Sequence, residues 1–557
     1  MKKNLQKLTS TEYDLLIIGG GIYGATAVWD ASLRGLKVAL IEKGDFGCET
    51  SSNSLKIIHG GLRYIQQADF KRMRESIRER WILMHIAPHL VHPLRCLMPT
   101  YGHLGKGPEA MKIALMLNDL VGLDRNKLDD PQKRLPNGKV VSRKSCLEQI
   151  PGVRTDHLSV GAIWYDCQVY NSERLIISYL RSAQERGADL ANYVEAKGYL
   201  IQDNRVAGVK VFDHESGETL EIRSKMVLNT SGPWLNRMLG WMQSDQPRHK
   251  VKLSVAMNLV TRPLVKGCAA GITGRRTNVE NGKIVEKGKK IYFITPWRNY
   301  SLVGTINDPY EGDPSDFSMT ESKLQQFIDE INYALPGNQL SREDVYFYHA
   351  GLVPMERPDP KSGEVVVTKQ YKIFDHSKED NIDGVVSVLG VKYTTARDVS
   401  VKVIDLVMKK LNKEKMNSQT EKERIFGGEI NRFDDFLNQA RTRFKDKLSD
   451  SVIDQLVRNY GSEFPRVLKY GEENPDWLKP FKGTSVLPAE IIHAVREEMV
   501  VHLSDVVLRR TEMGSAGNPG DAVLFEAAKL IAEELGWDEK MVEKEIEMTK
   551  GVYELDS

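Results

Sequence analysis

The stretch Tyr13-Asp14-Leu15-Leu16-Ile17-Ile18-Gly19-Gly20-Gly21-Ile22-Tyr23-Gly24 decides how this chain begins to fold. An apolar run, Leu15 to Ile18, leads straight into a glycine cluster, and the helix-like Ala25 to Leu33 follows. After Gly35 comes a second apolar run, Lys37 to Ile41, with an acid, Glu42, at its end. The order strand, turn, helix, strand is a βαβ unit of about thirty residues with its glycines spaced G-x-G-x-x-G. Gly19 makes the tight turn, Gly21 lets a pyrophosphate reach the backbone, and Gly24 lets helix pack on strand, while the helix N-terminus faces the phosphates. Glu42 stands where a carboxylate accepts hydrogen bonds from a ribose. The pattern predicts a dinucleotide site.

Further along, the texture between about 160 and 380 is strand-like, and two strands end in glycine turns. One runs to Asn229 and into Thr230-Ser231-Gly232-Pro233-Trp234; the other, Val385 to Leu389, enters Gly390-Val391-Lys392-Tyr393-Thr394-Thr395. Such turns bring further backbone to the same cofactor. From about Glu421 the period becomes helical, with stripes through Phe433, Phe436, Leu437, Ala440 and Phe444, and through Val452, Ile453, Leu456 and Val457. These shifts place cofactor segments at about 12–65, 190–235 and 385–412. A substrate-binding part falls mainly in 66–185 and 236–384, and an α-helical C-terminal domain spans 421–557.

With 557 residues, 41% of them hydrophobic and 28% charged, the chain has ample material for several cores, which excludes a small binding module and wholesale disorder. Lys+Arg number 78 against Asp+Glu 76, so no global charge points to nucleic acid. The 5 cysteines are widely spaced with no C-x-x-C, so no metal site is expected and they read as reduced thiols of a cytoplasmic protein. No apolar run is long enough to span a bilayer, and Leu15 to Ile18 is too short for a signal-peptide core. From Phe70 to Met84, Phe70, Met73, Ile77, Trp81 and Met84 recur at helical spacing among Lys71, Arg72, Arg74, Arg78 and Arg80. That pattern fits a surface helix with a core-facing stripe, and it also fits a basic helix in peripheral contact with an anionic membrane.

Several blocks carry a resemblance. Beside the glycine loop stand Ser51-Ser52-Asn53-Ser54, Lys56-Ile57-Ile58-His59-Gly60-Gly61-Leu62-Arg63-Tyr64, Ala87-Pro88-His89-Leu90, Thr230 to Trp234, Thr295-Pro296-Trp297, Gly304-Thr305 and Lys392 to Thr395. The C-terminal region adds Glu498-Met499, Asp505, Arg509-Arg510 and Leu535-Gly536-Trp537. In this order, and over nearly the whole chain, they resemble the family of FAD-dependent glycerol-3-phosphate dehydrogenases and glycerophosphate oxidases. The resemblance implies an α/β fold: a Rossmann-like FAD-binding domain with a mixed β-sheet substrate domain, plus the helical C-terminal domain. It implies FAD as cofactor and oxidation of sn-glycerol 3-phosphate to dihydroxyacetone phosphate, with quinone or oxygen as electron acceptor, and it makes a homodimer plausible. By the same similarity Gly19, Gly21, Gly24 and Glu42 would hold the ADP half of FAD. Ser51, Ser52, Ser54, Gly232, Gly390 and Thr394 would lie along the rest of the cofactor. Arg63, Tyr64, Asn258, Lys369, Lys392 and Thr394 would face the substrate, Arg63 and Lys392 with a part in catalysis as well, and a cluster of cations suits a phosphoester.

Three departures bear on the substrate. The family's G-V-R-P turn reads Gly351-Leu352-Val353-Pro354, and a T-R-D-like segment reads Thr368-Lys369-Gln370. Val353 binds no phosphate, and Lys369 keeps a charge without the bidentate fork. The family's K-G-x-H reads Val255-Ala256-Met257-Asn258, and Asn258 takes no proton at neutral pH. His349 is the expected replacement base. His59 is a second candidate whose place beside Gly60-Gly61 suits a structural or flavin-contact role. The departures keep open a different hydroxy compound or an amine as substrate, and a flavin-binding protein without turnover.

Overall fold

The computed structural model of the protein describes residues 1–101, 107–242, 250–280, 283–358 and 365–555. Tyr13–Ile18 forms a strand with all of its residues buried, as expected of a parallel strand covered on both faces. It lies between Thr219–Asn229 and Val38–Ile41, parallel to both, and Val385–Leu389 extends the sheet parallel to Thr219–Asn229. The pairings Ile18 with Asn229 and Asn229 with Ser387 bring three strand ends level. Each of those ends runs into one of the glycine turns read from the sequence. In open α/β sheets ligands bind outside the carboxyl ends of the strands.

The helix Ile22–Leu33 packs against Ser172–Glu185 and Ala396–Lys410 over this sheet. Ala27, Val28 and Ala31 meet Leu175, Ile176 and Tyr179, and Val399 and Val403, in one buried core. The expected segment boundaries shift accordingly. Ser172–Glu185, assigned to the substrate part, covers the nucleotide sheet. Lys372–Asp375, also assigned there, pairs antiparallel with Val385–Leu389 as the edge of that sheet. Ile57–Ile58, assigned to the cofactor segments, pairs instead with Leu158–Val169 in the second sheet. Periodicity reports which face of an element is apolar and not which sheet that face meets.

The second sheet is mixed and ten-stranded. Lys252–Thr261 lies between Tyr300–Tyr310 and Val345–Pro358, and Val91–Tyr101 pairs with Leu158–Val169 further across. Its Met257, Leu259, Ile272, Tyr292 and Ile294 form a separate core with Phe327 and Ile331 of the helix Glu321–Ala334. The C-terminal domain is helical, from Phe433–Phe444 to Glu539–Gly551, with cores of its own.

This domain is fastened to the loop that follows Glu42. Asp45, fully buried, accepts from Arg510 Nη1 and Nη2 at 2.7 Å each and from Arg509 Nε at 2.5 Å, while Arg509 also reaches Asp505 at 2.7 Å. Burial alone would raise the Asp45 carboxyl, but the two guanidiniums outweigh it and hold it below the usual carboxylate range. Arg510→Ala is expected to lower stability by about 3 kcal/mol at pH 7, because it leaves a buried carboxylate half-paired. A carboxylate with a depressed pKa stabilises the fold above its unfolded pKa of about 3.9 and loses that contribution as pH falls through the folded value. Thermal midpoints of variant and parent should therefore differ most at neutral pH and converge in acid. A gap independent of pH would point to lost packing alone.

Candidate active site

The level strand ends open onto a cavity of about 1000 Å³, at the upper end of the range for small-molecule sites. Gly19 has φ +103°, and a Cβ there would come within 2.7 Å of the Thr230 carbonyl oxygen. Gly21 caps the helix Ile22–Leu33, and Ser51 Oγ accepts from the Ile22 N–H at 3.0 Å. Gly24 does not line the cavity: a side chain there would run into the Gly19 carbonyl, which is the close helix-to-strand packing expected of the third glycine. Glu42 is buried at the end of its strand, lines the cavity, and accepts from Gly20 N at 2.6 Å and Gly44 N at 2.9 Å. Burial raises its pKa against the pull of those two N–H groups. Beside it the Lys43 ammonium lies 3.3 Å from the centroid of the Trp234 ring.

The distant segments close on this cradle. Ser54, Gly232 and Gly390 line the cavity. Tyr23, on the first helix, donates to the Lys392 carbonyl at 2.9 Å and accepts from Val391 N at 3.1 Å, so helix and late turn are fixed to each other. Ser52 departs from expectation. It does not line the cavity, and its hydroxyl turns back onto the Glu49 carbonyl at 3.1 Å, completing a local turn. Bare backbone at Gly21, a helix N-terminus, an acid at the second strand end and a long cavity together fit the ADP half of a dinucleotide.

Cations gather further along the cavity. Arg63 and Tyr64 project from the short turn Leu62–Gln67. The Lys392 ammonium hydrogen-bonds the Tyr64 hydroxyl and sits 4.5 Å from its ring centroid. Lys369 is exposed at the rim, and Val353 lines the wall in place of a cation. Asn258 is buried in the wall, its Oδ1 accepting from the Thr305 hydroxyl at 2.6 Å. Thr394 Oγ1 accepts from the backbone N–H of His59 at 3.3 Å, which ties the lysine turn to the His-Gly-Gly turn.

The base expected at His349 is not in the cavity. His349 is 3% exposed, its Nε2 is 3.0 Å from the Ser515 carbonyl oxygen, and its ring packs edge-on against Trp297. Burial, then the charge of Lys56, pushes its pKa down to about 4. Strand alternation puts it on the same face as Gly351 and Val353, which do line the cavity. The two-residue step carries it past the cavity's end and under the C-terminal domain, a cover invisible to spacing. His59 does line the cavity. Its side chain is 50% exposed within the cavity lining, with Nδ1 3.5 Å from Asp166 Oδ2. Nothing in the sequence links Asp166 to His59, because it lies on a strand more than a hundred residues away, and only the pairing of Ile57–Ile58 with Leu158–Val169 brings it near.

Comparison with known proteins agrees with this geometry. The family described as "FAD dependent oxidoreductase" matches residues 14–390, and "C-terminal domain of alpha-glycerophosphate oxidase" matches 418–542. The chain is 30% identical to a glycerol-3-phosphate dehydrogenase of Synechocystis sp., over 98% of this chain and 97% of the relative. It is likewise 30% identical to an aerobic glycerol-3-phosphate dehydrogenase of Staphylococcus haemolyticus, over 95% and 92%. Among solved structures, the glycerol-3-phosphate dehydrogenase from Bacillus halodurans complexed with FAD superposes with a TM-score of 0.76 at 25% identity, covering 98% of this chain and 95% of that one.

Proposed function

This chain belongs to the FAD dependent oxidoreductase family, its cofactor is FAD, and we propose that it oxidises sn-glycerol 3-phosphate to dihydroxyacetone phosphate. The observation that carries this reading is one cavity with a nucleotide cradle at one end and, at the other, a histidine beside a group of cations. Bound flavin supplies the two-electron acceptor. The chain supplies the rest. Removing hydride from a carbinol carbon requires the O–H proton to leave as well, so a base must stand at that hydroxyl. His59, with Nδ1 toward a carboxylate and its ring in the cavity, is that base in place of His349. Arg63, Lys369 and Lys392 hold the phosphate and so fix the carbinol. Asn258 and Thr305 present a polar edge to the remaining hydroxyl groups.

Val353 makes the phosphate site one cation poorer than the family pattern. Anaerobic addition of sn-glycerol 3-phosphate should bleach the flavin stoichiometrically, and Val353→Arg should raise kcat/KM. A charge-assisted contact is worth about 1.5–3 kcal/mol, or roughly ten- to a hundred-fold. No bleaching in the parent enzyme, or lower activity in Val353→Arg, would assign the pocket to a different substrate.

The reading extends to a membrane quinone as electron acceptor, reached by peripheral contact. The helix first expected to make that contact, Phe70–Ile86, does not fit the role: Arg72, Arg74, Arg78 and Arg80 face Asp69, Asp124, Glu421 and Asp166. Those carboxylates meet the charges a lipid surface would need, and the helix is the core-packed surface helix of the other expectation. The neighbouring helix Pro108–Val121 supports the contact better. Ile113, Met116 and Leu120, at i, i+3 and i+7, are 60%, 71% and 61% exposed, and Leu123 beyond them is 76% exposed. The helix that carries this stripe packs against Leu62–Gln67, the turn that carries Arg63 and Tyr64 into the cavity. No helix among the described residues is long and apolar enough to cross a membrane. Flotation with phosphatidylglycerol vesicles should carry the holoenzyme upward and leave Leu120→Glu behind. Equal behaviour of the two proteins, with a dimer in the parent that the substitution dissociates, would give the stripe to a second copy of the chain.

A further inference from the structure

Asp166 is the group the site uses without any assigned purpose. It is 4% exposed, lies on the strand Leu158–Val169, and makes its contacts through both oxygens. Oδ1 accepts from Gly60 N at 2.6 Å and from Arg80 Nη1 at 3.1 Å. Oδ2 accepts from Trp164 Nε1 at 3.1 Å and faces His59 Nδ1 at 3.5 Å. Arg80 is itself held by the Tyr165 carbonyl at 2.7 Å. Burial alone would raise the Asp166 carboxyl, but His59, Arg80 and the Gly60 N–H outweigh it and keep it below the usual carboxylate range. A carboxylate held in this way is an acceptor only, and the three groups hydrogen-bonded to it, Gly60 N, Arg80 Nη1 and Trp164 Nε1, are all donors.

We propose that Asp166 is a positioning residue that fixes His59 in the tautomer with its proton on Nδ1, leaving Nε2 free to take the carbinol proton. An ionised carboxylate stabilises an N–H pointing at it and repels a lone pair, so Oδ2 selects the Nδ1–H form. Oδ1 performs a second, coupled task. It anchors the Gly60 N–H, and a Cβ at Gly60 would run into Arg80 Nη1 and come within 2.9 Å of that same oxygen, so the backbone after His59 rests on the Arg80–Asp166 pair. The Thr394 hydroxyl holds the N–H of His59 from the other side. The ring is thereby oriented at its backbone and at Nδ1, and only Nε2 is left uncommitted. When the proton arrives, the imidazolium forms beside a charge that stabilises it, and Asp166 stays ionised throughout.

Asp166→Asn is the discriminating change. The amide oxygen can replace Oδ1 toward Gly60 and Arg80, which puts an NH2 where Oδ2 faced Trp164 and His59. Nδ1 must then accept, and the proton moves to Nε2, the nitrogen that has to be bare. The expected result is a fall in kcat of about ten- to a hundred-fold, with KM for sn-glycerol 3-phosphate and FAD content near parental values. A purely structural role would lower FAD content, or raise KM along with any fall in kcat. Because the amide of that variant also faces the Trp164 donor, the tautomer is to be read independently in the unmodified holoenzyme. With all 12 histidines labelled with nitrogen-15, the signals absent from His59→Gln identify His59, and its Nδ1 should be the protonated nitrogen. The inference rests on His59 being the base, and the two fail differently. Full kcat in His59→Gln removes the base itself. A crippled His59→Gln beside an Asp166→Asn of unchanged kcat, or an Nε2–H tautomer in the parent, removes the role of Asp166 and leaves the base standing.

Discussion

His59→Gln will bind FAD and reduce it very slowly. The amide retains a polar group of similar reach and takes no proton at neutral pH, and a positioned general base contributes about 10²- to 10⁴-fold to rate. The loss should appear in kcat, since on the proposed reading the phosphate is held by Arg63, Lys369 and Lys392, none of which touches the substituted ring in the hydrogen-bond pattern. Anaerobic stopped-flow of flavin reduction reads the step directly. His349→Gln is the control: its ring is sealed against Ser515 and Trp297, so its substitution should act on stability and leave the reduction rate per folded enzyme within a few-fold. The reverse ranking of the two variants would restore His349 as the base.

Gly21→Val is expected to give a folded, colourless protein. The three glycines of the loop are not equivalent. Gly19 holds φ +103°, where any side chain is strained, and Gly24 abuts the Gly19 carbonyl, so substituting either attacks the fold itself. Gly21 has φ −75° and ψ −174°, extended backbone open to any residue, and a Cβ there comes within 2.9 Å of Ser51 Oγ, the end of a short side chain that must rotate off the Ile22 N–H to make room. Valine therefore fits the chain while filling the space over the helix N-terminus that a diphosphate needs. The ratio of flavin to protein absorbance after purification measures occupancy, and far-ultraviolet circular dichroism confirms the fold. Parental occupancy in Gly21→Val would show that the cofactor is bound elsewhere.

The reading of Tyr13 to Glu42 needed no tertiary information, because everything it depends on is local. A buried parallel strand must be continuously apolar, a phosphate-binding turn must be bare at fixed positions, and the acid must close the next strand. The two late glycine turns were legible for the same reason, and the parallel pairing of Thr219–Asn229 and Val385–Leu389 beside the first strand assembles them as expected. Arg63, Tyr64, Lys392 and Thr394, recognised as parts of motifs, share one cavity. Ser52 lay in the same motif and turns away, because a motif fixes the path of the backbone more tightly than the direction of each hydroxyl.

What the sequence by itself determined, then, is the nucleotide half of the molecule and the kinds of side chain brought to the cavity. Only the tertiary structure decided which histidine lines the cavity. His349 and His59 are equally titratable as residues, and strand alternation points His349 toward the same face as Val353. The C-terminal domain buries one of them beneath Ser515, while the pairing of Ile57–Ile58 with Leu158–Val169 sets the other beside Asp166. Membrane contact follows the same logic: the cations of Phe70–Ile86 look available in sequence and are matched by Asp69, Asp124, Glu421 and Asp166, two of them contributed by segments far along the chain. Local patterns record what each residue offers. Solvent access and charge pairing are properties of neighbours, and the chain acquires those neighbours only when distant segments meet.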